Sequence, residues 1–369
     1  MDHDFPISRV IAHLPHSDLK QMLRLVRLLF RLGQSDSYRR RVFPQLPEVA
    51  RFDPGHAALM MGYDYHLTPD GPRLIEVNTN AGGGYIAWLS QQLAGKASPL
   101  YLSNRFQQRL LQSYLQEWHD FSGGERPLQR VVVVDEALDQ QMLLPEMVGC
   151  CDWLCQHGIT ANVATPEQLQ FKTEGVYFQN DKIDLIYNRH CDFFLETAAL
   201  HDLRRAYLEK KICLSPNPFA YGLLADKRRM VLWSDSQALD DLELPSSDKQ
   251  LLLDMVPKSL ILANEDRDDI WRRRKKLIVK PVTKFGGRGV LMGRGITKKR
   301  FADLDPETTL VQDIVPPSIE SSEAGEEYKI DYRLFVYRDH LLGVGARLYQ
   351  GQVTNLRTAG GGFAPVKIV

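Results

Sequence analysis

The 369-residue chain is long enough for two or three lobes with cores of their own, and its 44% apolar and 25% charged residues exclude a disordered chain. Its 46 lysines and arginines balance 46 aspartates and glutamates, so no net field draws it to nucleic acid or to an anionic membrane. No run nears the roughly 20 apolar residues that cross a bilayer.

Residues 1–16, with His3, Asp4 and two prolines, lack the pattern of a secretory signal, and an odd number of cysteines, five, fits the reducing cytoplasm. The spacing of Leu19, Met22, Leu23, Val26 and Phe30 predicts a first helix, capped by Ser17 and stopped by Gly33. Polar loop material follows to Asp53. Strands are expected over 59–67 and 73–78, joined by the turn Pro69-Asp70-Gly71, and a glycine-rich bend at 81–84 leads into a helix over 85–93. From Arg126 the pattern changes. The apolar run 131–134 reads as a buried parallel strand, followed by a helix over 137–157, strands over 159–163 and 183–187, and a helix over 200–209. Cys150, Cys151 and Cys155 fall on the first of these helices and read as small buried side chains rather than a metal site. A third region runs from Leu214. Its charged stretch 234–276 ends in the basic run Trp271-Arg272-Arg273-Arg274-Lys275-Lys276, which nearby acidic residues and the neutral chain mark as a solvated helix or loop rather than a nucleic-acid or phosphate site.

Three constellations carry chemistry. On a strand Glu76 and Asn78 share a face, and a hairpin through Asp70-Gly71 returns it beside Asp64. Three oxygen-bearing side chains together suit Mg²⁺, or simply face water on a half-exposed hairpin. Next, the apolar strand 277–281 delivers Lys280 just before Gly286, Gly287 and Gly289. Glycines let backbone N–H groups approach phosphate, though three glycines also make an ordinary turn. Neither the P-loop nor the dinucleotide spacing is present. Finally, residues 331–337 alternate as a strand with Asp331 and Arg333 on one face, 340–347 is its partner carrying Arg347, and Asn355 precedes a triple glycine.

Together these blocks resemble the motifs of ATP-grasp ligases such as D-alanine–D-alanine ligase and prokaryotic glutathione synthetase. Ala225-Asp226-Lys227 resembles the family's first lysine segment, and Val279-Lys280-Pro281 with Gly286, Gly287 and Gly289 resembles the second lysine and its phosphate loop. Residues 310–315, with Gln312, Asp313 and Val315, look like the adenine linker, and Asp331-Tyr332-Arg333, Arg347 and Asn355 match the later part. The departure is order: Asp64…Glu76-Val77-Asn78 is similar to the family's last motif but stands near the N-terminus. The resemblance therefore implies an α/β (α+β) chain with an ATP-grasp fold in circularly permuted order. Residues 1–125 would be the permuted C-terminal part, 126–218 a small Rossmann-like lobe for substrate, and 219–369 the nucleotide-binding lobes.

The reaction implied is ATP-dependent joining of a carboxylate, on a small molecule or a peptide, to an amine through an acyl phosphate. Lys227 and Lys280 would hold phosphates, and Asp64, Glu76 and Asn78 would hold Mg²⁺. Arg333, Arg347 and Asn355 would serve the transferring phosphoryl group, and Asp331 the ribose. Substrate contacts are expected in 80–85 and 188–194, where Arg189 can pair a substrate carboxylate or be salt-bridged. A homodimer is the family's frequent assembly; neither nucleic acid nor membrane is expected as a partner. A small-molecule kinase on the same fold, with Arg189-His190 and Arg204-Arg205 as a basic pocket, and a non-catalytic ATP-binding protein are the alternatives.

Overall fold

The structure is a computed structural model that describes residues 5–93, 102–283, 289–352, 354, 355 and 358–369. Three sheets organise it. The largest is antiparallel, with strands in the order Gly362–Ala364, His340–Tyr349, Glu327–Tyr337, Met61–Thr68 and Gly71–Asn78, and Ser318–Ser321 paired to the start of Glu327–Tyr337. The turn at Pro69-Asp70-Gly71 uses the expected chemistry, with Gly71 at φ +100, whereas the turn between Tyr337 and His340 sets Arg338 at φ +56, a place glycine or asparagine more often fills. Residues facing each other across a ladder share a face. Arg333 lies opposite Asp64, Asp64 opposite Glu76, and Asp331 opposite Arg347. Adding the period of two along each strand puts Asp64, Glu76, Asn78, Asp331, Arg333 and Arg347 on one face. The other face is apolar, and Tyr63, Tyr65, Leu74, Tyr332 and Leu334 pack with Met22, Leu25, Val26 and Leu29 of the helix His16–Gln34.

A second, parallel sheet has the order Cys213–Ser215, Leu185–Asn188, Arg130–Val134, Thr160–Ala164. The helix Leu102–Ser122 places Tyr114 and Trp118 in the core shared by this sheet and the covered part of the large one. The third sheet is antiparallel: Ser259–Ile261, Thr309–Asp313, Leu277–Pro281, Leu291–Met292. Its core takes Ile270 from the helix Arg267–Arg273 and Phe301 from Lys298–Ala302. The first and last described strands lie side by side, since Ala12–Leu14 pairs in parallel with Val366–Ile368 and the His16 N–H donates to the Val369 carbonyl at 2.8 Å.

Several local expectations need correction. The first helix begins at His16 after Pro15, so Ser17 lies inside its first turn and caps nothing. Gly33 is helical, its bare Cα turned toward Leu224. The supposed loop before Asp53 holds two helices, Asp36–Val42, capped by Ser35, and Glu48–Arg51. The cysteine helix is shorter, Leu144–Gln156, with Pro145 in its first turn; Cys150 and Cys151 are buried but Cys155 is exposed. A three-stranded ribbon (Gln170–Lys172, Gly175–Phe178, Asp181–Lys182) interrupts the α/β pattern. The basic run 271–276 is helical, with Arg272, Lys275 and Lys276 exposed, and the stretch 234–276 that it closes also supplies an edge strand and a helix to the third sheet. No described helix is long and apolar enough to cross a membrane.

Candidate active site

The charged face of the large sheet carries a four-membered ion cluster. Asp64 accepts from Arg333 Nε and Nη2, both at 2.6 Å, and from Arg347 Nη2 at 2.8 Å. Arg347 bridges on to Asp331, whose Oδ2 also accepts from Thr354 Oγ1 at 3.2 Å. Asn78 Nδ2 donates to Asp64 at 3.3 Å, and Arg333 Nη1 to the Gly82 carbonyl at 2.9 Å. Gly62 keeps room for this fork: a Cβ there would stand 3.1 Å from Arg333 Nε. Burial pushes the Asp64 carboxyl up, but Arg333 and Arg347 together more than reverse it and hold it at about 2. Asp331 is raised, because burial and the neighbouring Asp64 outweigh its share of Arg347. Asp331 Oδ1 and Arg347 Nε are buried without a hydrogen-bond partner among the described residues.

Beside this cluster lie two lysines from different elements. Lys280, 6% exposed on the strand Leu277–Pro281, donates to Gln312 Oε1 at 2.7 Å and to the Ile75 carbonyl at 3.2 Å. Lys227 directly precedes the helix Arg228–Trp233, after a π-turn at Tyr221–Ala225, and its ammonium is 3.4 Å from Glu76 Oε1. Burial, with Lys227 nearby and Glu76 opposing, lowers the Lys280 ammonium to about 8. The cleft they share spans about 270 Å³, part of it open to solvent, and is lined by Glu76, Lys227, Lys280, Leu224, Trp233 and Leu310 among others. Two layers of one fold thus present cations to a common space, one from the third sheet and one from a helix start.

No family model and no curated protein matches the sequence. Among solved structures, a glutathione synthetase-like effector from Globodera pallida, in apo form, is similar at a TM-score of 0.64, with 11% identity over 98% of this chain and 90% of that one. A gamma-glutamylcysteine synthetase-like protein from Methylobacillus flagellatus KT is similar at 0.52, with 12% identity over 94% and 87%. The fold is ATP-grasp-like, of the glutathione synthetase type. The ATP-grasp ligase PsnB, solved with a precursor variant, Mg and ADP, is more distant: TM-score 0.34, 14% identity, 65% and 88% covered.

Within this ATP-grasp-like fold, Asp64, Glu76, Asn78, Asp331, Arg333 and Arg347 come together on one sheet face, and Lys227 and Lys280 meet them at Glu76. Asp64 does not stand open in the structure, since guanidinium donors take both of its oxygens. Gln312 turns its amide toward Lys280 and Ser259. Asp313 has an exposed side chain, and the Val315 carbonyl accepts from His66 Nδ1 at 2.7 Å. Asn355 is exposed and bonds within its own loop, to the Gln350 carbonyl at 3.1 Å and Thr358 Oγ1 at 3.0 Å. Gly286 and Gly287 lie outside the described residues; Gly289, at φ +76, is exposed. The loops 80–85 and 188–194 touch, Asn80 donating to the Arg189 carbonyl. Buried Arg189 donates to the Tyr187 hydroxyl at 3.1 Å and lies 3.6 Å from Glu146, which also accepts the Gly83 and Tyr85 N–H groups. Sequence reasoning missed His66, Thr354 and Glu146. His66 stands two residues after Asp64 on a strand already singled out, and Thr354 beside Asn355; nothing marked Glu146.

Proposed function

We propose that the protein is an ATP-dependent carboxylate–amine ligase that works through an acyl phosphate. The observation that carries this reading is the convergence of Lys227 and Lys280, held by separate elements, on Glu76 at the edge of a face bearing two arginines. Mg-ATP fits these residues. Two ammonium groups and two guanidinium groups match a triphosphate, Glu76 and Asn78 are hard oxygen donors on one strand face, and buried Arg347 Nε lacks a hydrogen-bond partner among the described residues. Magnesium, when bound, supplies charge neutralisation of the phosphate oxygens.

In this reading the terminal phosphoryl group passes to a substrate carboxylate oxygen and ADP leaves. The amine then attacks the acyl carbon, forming the amide as phosphate departs. The chain needs no nucleophile of its own; it positions and neutralises. Lys227 and Lys280 bind the phosphates. Arg333 and Arg347 neutralise the transferring group when they turn from Asp64, and Asp64 then joins Glu76 and Asn78 as a metal ligand. Asp331, tied to Arg347 and Thr354, suits the holding of Arg347 better than a ribose contact. Asn355 borders that loop, and residues 126–218 with Arg189 form the carboxylate-substrate lobe. We further infer a circularly permuted order; the pairing of the first and last described strands and the place of the Met61–Asn78 hairpin beside Glu327–Tyr337 support it.

The test is phosphate release from ATP with Mg²⁺ across pooled amino acids, short peptides and polyamines. Release that requires both a carboxylate and an amine is expected. Release that needs neither, or an alcohol instead, overturns the ligase reading, and Glu76→Gln or Lys280→Ala with intact turnover overturns the site.

A further inference from the structure

The stretch 234–276 places two buried serines behind the lysines. Ser259, fully buried, sits opposite Gln312 in the strand register. Its hydroxyl donates to the Pro257 carbonyl at 2.9 Å, and its oxygen accepts from Gln312 Nε2 at 3.0 Å. Gln312, 2% exposed, then offers Oε1 to Lys280 Nζ at 2.7 Å. Farther back, the Ser259 N–H donates to Ser234 Oγ at 3.0 Å, and Ser234 ends the helix that Lys227 precedes. Each direction is forced. A carbonyl only accepts, an ammonium only donates, and a hydroxyl has one proton.

We propose that Ser259 and Gln312 are positioning residues for Lys280, a hydrogen-bond relay of fixed polarity that keeps an amide oxygen against the ammonium and fixes where it meets the nucleotide phosphates. This rests on the nucleotide reading above and moves Gln312 from the base to the lysine. A lysine stem has many rotamers, and the Ile75 carbonyl alone, at 3.2 Å, does not select one. A flipped Gln312 amide would set its NH₂ group against the ammonium, donor facing donor, in a buried place where that costs most. Ser259 removes the flipped state from the other end, because its proton is already committed to Pro257.

The test uses the full chain and two readouts. One is the dissociation constant of Mg-ATP by calorimetry. The other, without nucleotide, is the rate at which N-hydroxysuccinimidyl acetate modifies Lys280 relative to exposed Lys276, at one near-neutral pH, by peptide mass spectrometry. Ser259→Ala and Gln312→Met are each expected to weaken Mg-ATP roughly three- to tenfold, the net worth of one hydrogen bond. Both should also speed acetylation of Lys280 and leave Lys276 unchanged. In Gln312→Glu, whose carboxylate offers oxygen whichever way it turns, adding Ser259→Ala should change neither readout. Acetylation of Lys280 as slow in Ser259→Ala and Gln312→Met as in the wild type overturns the relay. So does an undiminished Ser259→Ala effect in the Gln312→Glu background, which would mark a packing defect. If Ser259→Ala does not fold, Gln312→Met, close in volume, decides alone. A wild type that fails to bind Mg-ATP overturns the nucleotide reading, while the acetylation series still decides the relay.

Discussion

Replacing Asp64 by Asn tests the ion cluster quantitatively. Asp64 is 3% exposed, and its carboxylate neutralises the whole Arg333 fork and part of Arg347. Removing one partner of a buried pair typically costs about 3–5 kcal/mol, because the other charge stays buried. Asp331 softens the loss at Arg347, but Arg333 keeps only uncharged acceptors, the Asn amide oxygen and the Gly82 carbonyl at 2.9 Å, so the expected cost is about 3–4 kcal/mol. The carboxyl gives a second figure. Its fall from 3.8 to about 2 corresponds to about 2–3 kcal/mol of stability at neutral pH. A depressed folded-state value means that this contribution is full above about 4 and is lost as pH falls through about 2. Urea unfolding at neutral pH should therefore show Asp64→Asn far less stable, and the gap should narrow as the pH approaches 2. A cost below about 1 kcal/mol at neutral pH, or a gap that does not change on acidification, would refute the reasoning.

Lys280→Met should abolish Mg-ATP binding, by calorimetry, while raising the melting temperature, because it removes an ammonium whose burial the fold only partly offsets. With Lys280 at about 8 folded against 10.5 ordinarily, the unfolded chain holds more protons between these values, so wild-type stability should gain from this group as pH rises through that window. Glu117, with a fully buried side chain, accepts from His56, the Ala57 N–H, Ser215 and Tyr337; Glu117→Ala should cost about 4 kcal/mol or more in chemical unfolding. A Cβ at Gly293 would stand 1.9 Å from the Arg274 carbonyl oxygen, whereas Gly123, at φ +69, has open space around it. Gly293→Ala should then destabilise by several kcal/mol and Gly123→Ala by only about 1 in the same unfolding assay.

The hairpin residues were legible because a short turn and a period of two decide a strand's faces before any long-range contact forms. Glu76 and Asn78 needed nothing beyond alternation, whereas Asp64 comes opposite Glu76 only through a bulge next to Tyr65 that no sequence signal marked. Three of the four parallel strands were legible too, most clearly Val131–Val134 as a run apolar on both faces, while the three-residue strand Cys213–Ser215 was missed. The ribbon between Gln170 and Lys182 did not, because strands of two to four residues are too short to show a period; only Gln179-Asn180, both at positive φ, hinted at its second turn. The helix Asp36–Val42 was missed because it buries only Tyr38 and Val42, so its sequence carries almost no stripe. Ser259 and Ser234 were beyond reach: a buried serine has no composition signal, and its role exists only through partners some tens of residues away.

Pairing was the larger gap. A sequence shows charges one at a time, each free to serve a ligand, while the fold adds them up. Arg333 and Arg347 close against Asp64 and Asp331 into a neutral quartet, across some 280 residues of chain in the case of Arg347 and Asp64. Glu76 meets Lys227. Lys280 is left with an amide oxygen and a backbone carbonyl as its hydrogen-bond acceptors, and neither carries a charge. Burial, with no charged acceptor in hydrogen-bond reach, pulls its ammonium down to about 8. A buried cation solvated only by dipoles is stabilised most by an arriving anion, and the quartet beside it can release two guanidinium groups only if another cation comes to Asp64. In the proposed reading that anion and that second cation arrive together, as a metal–nucleotide complex.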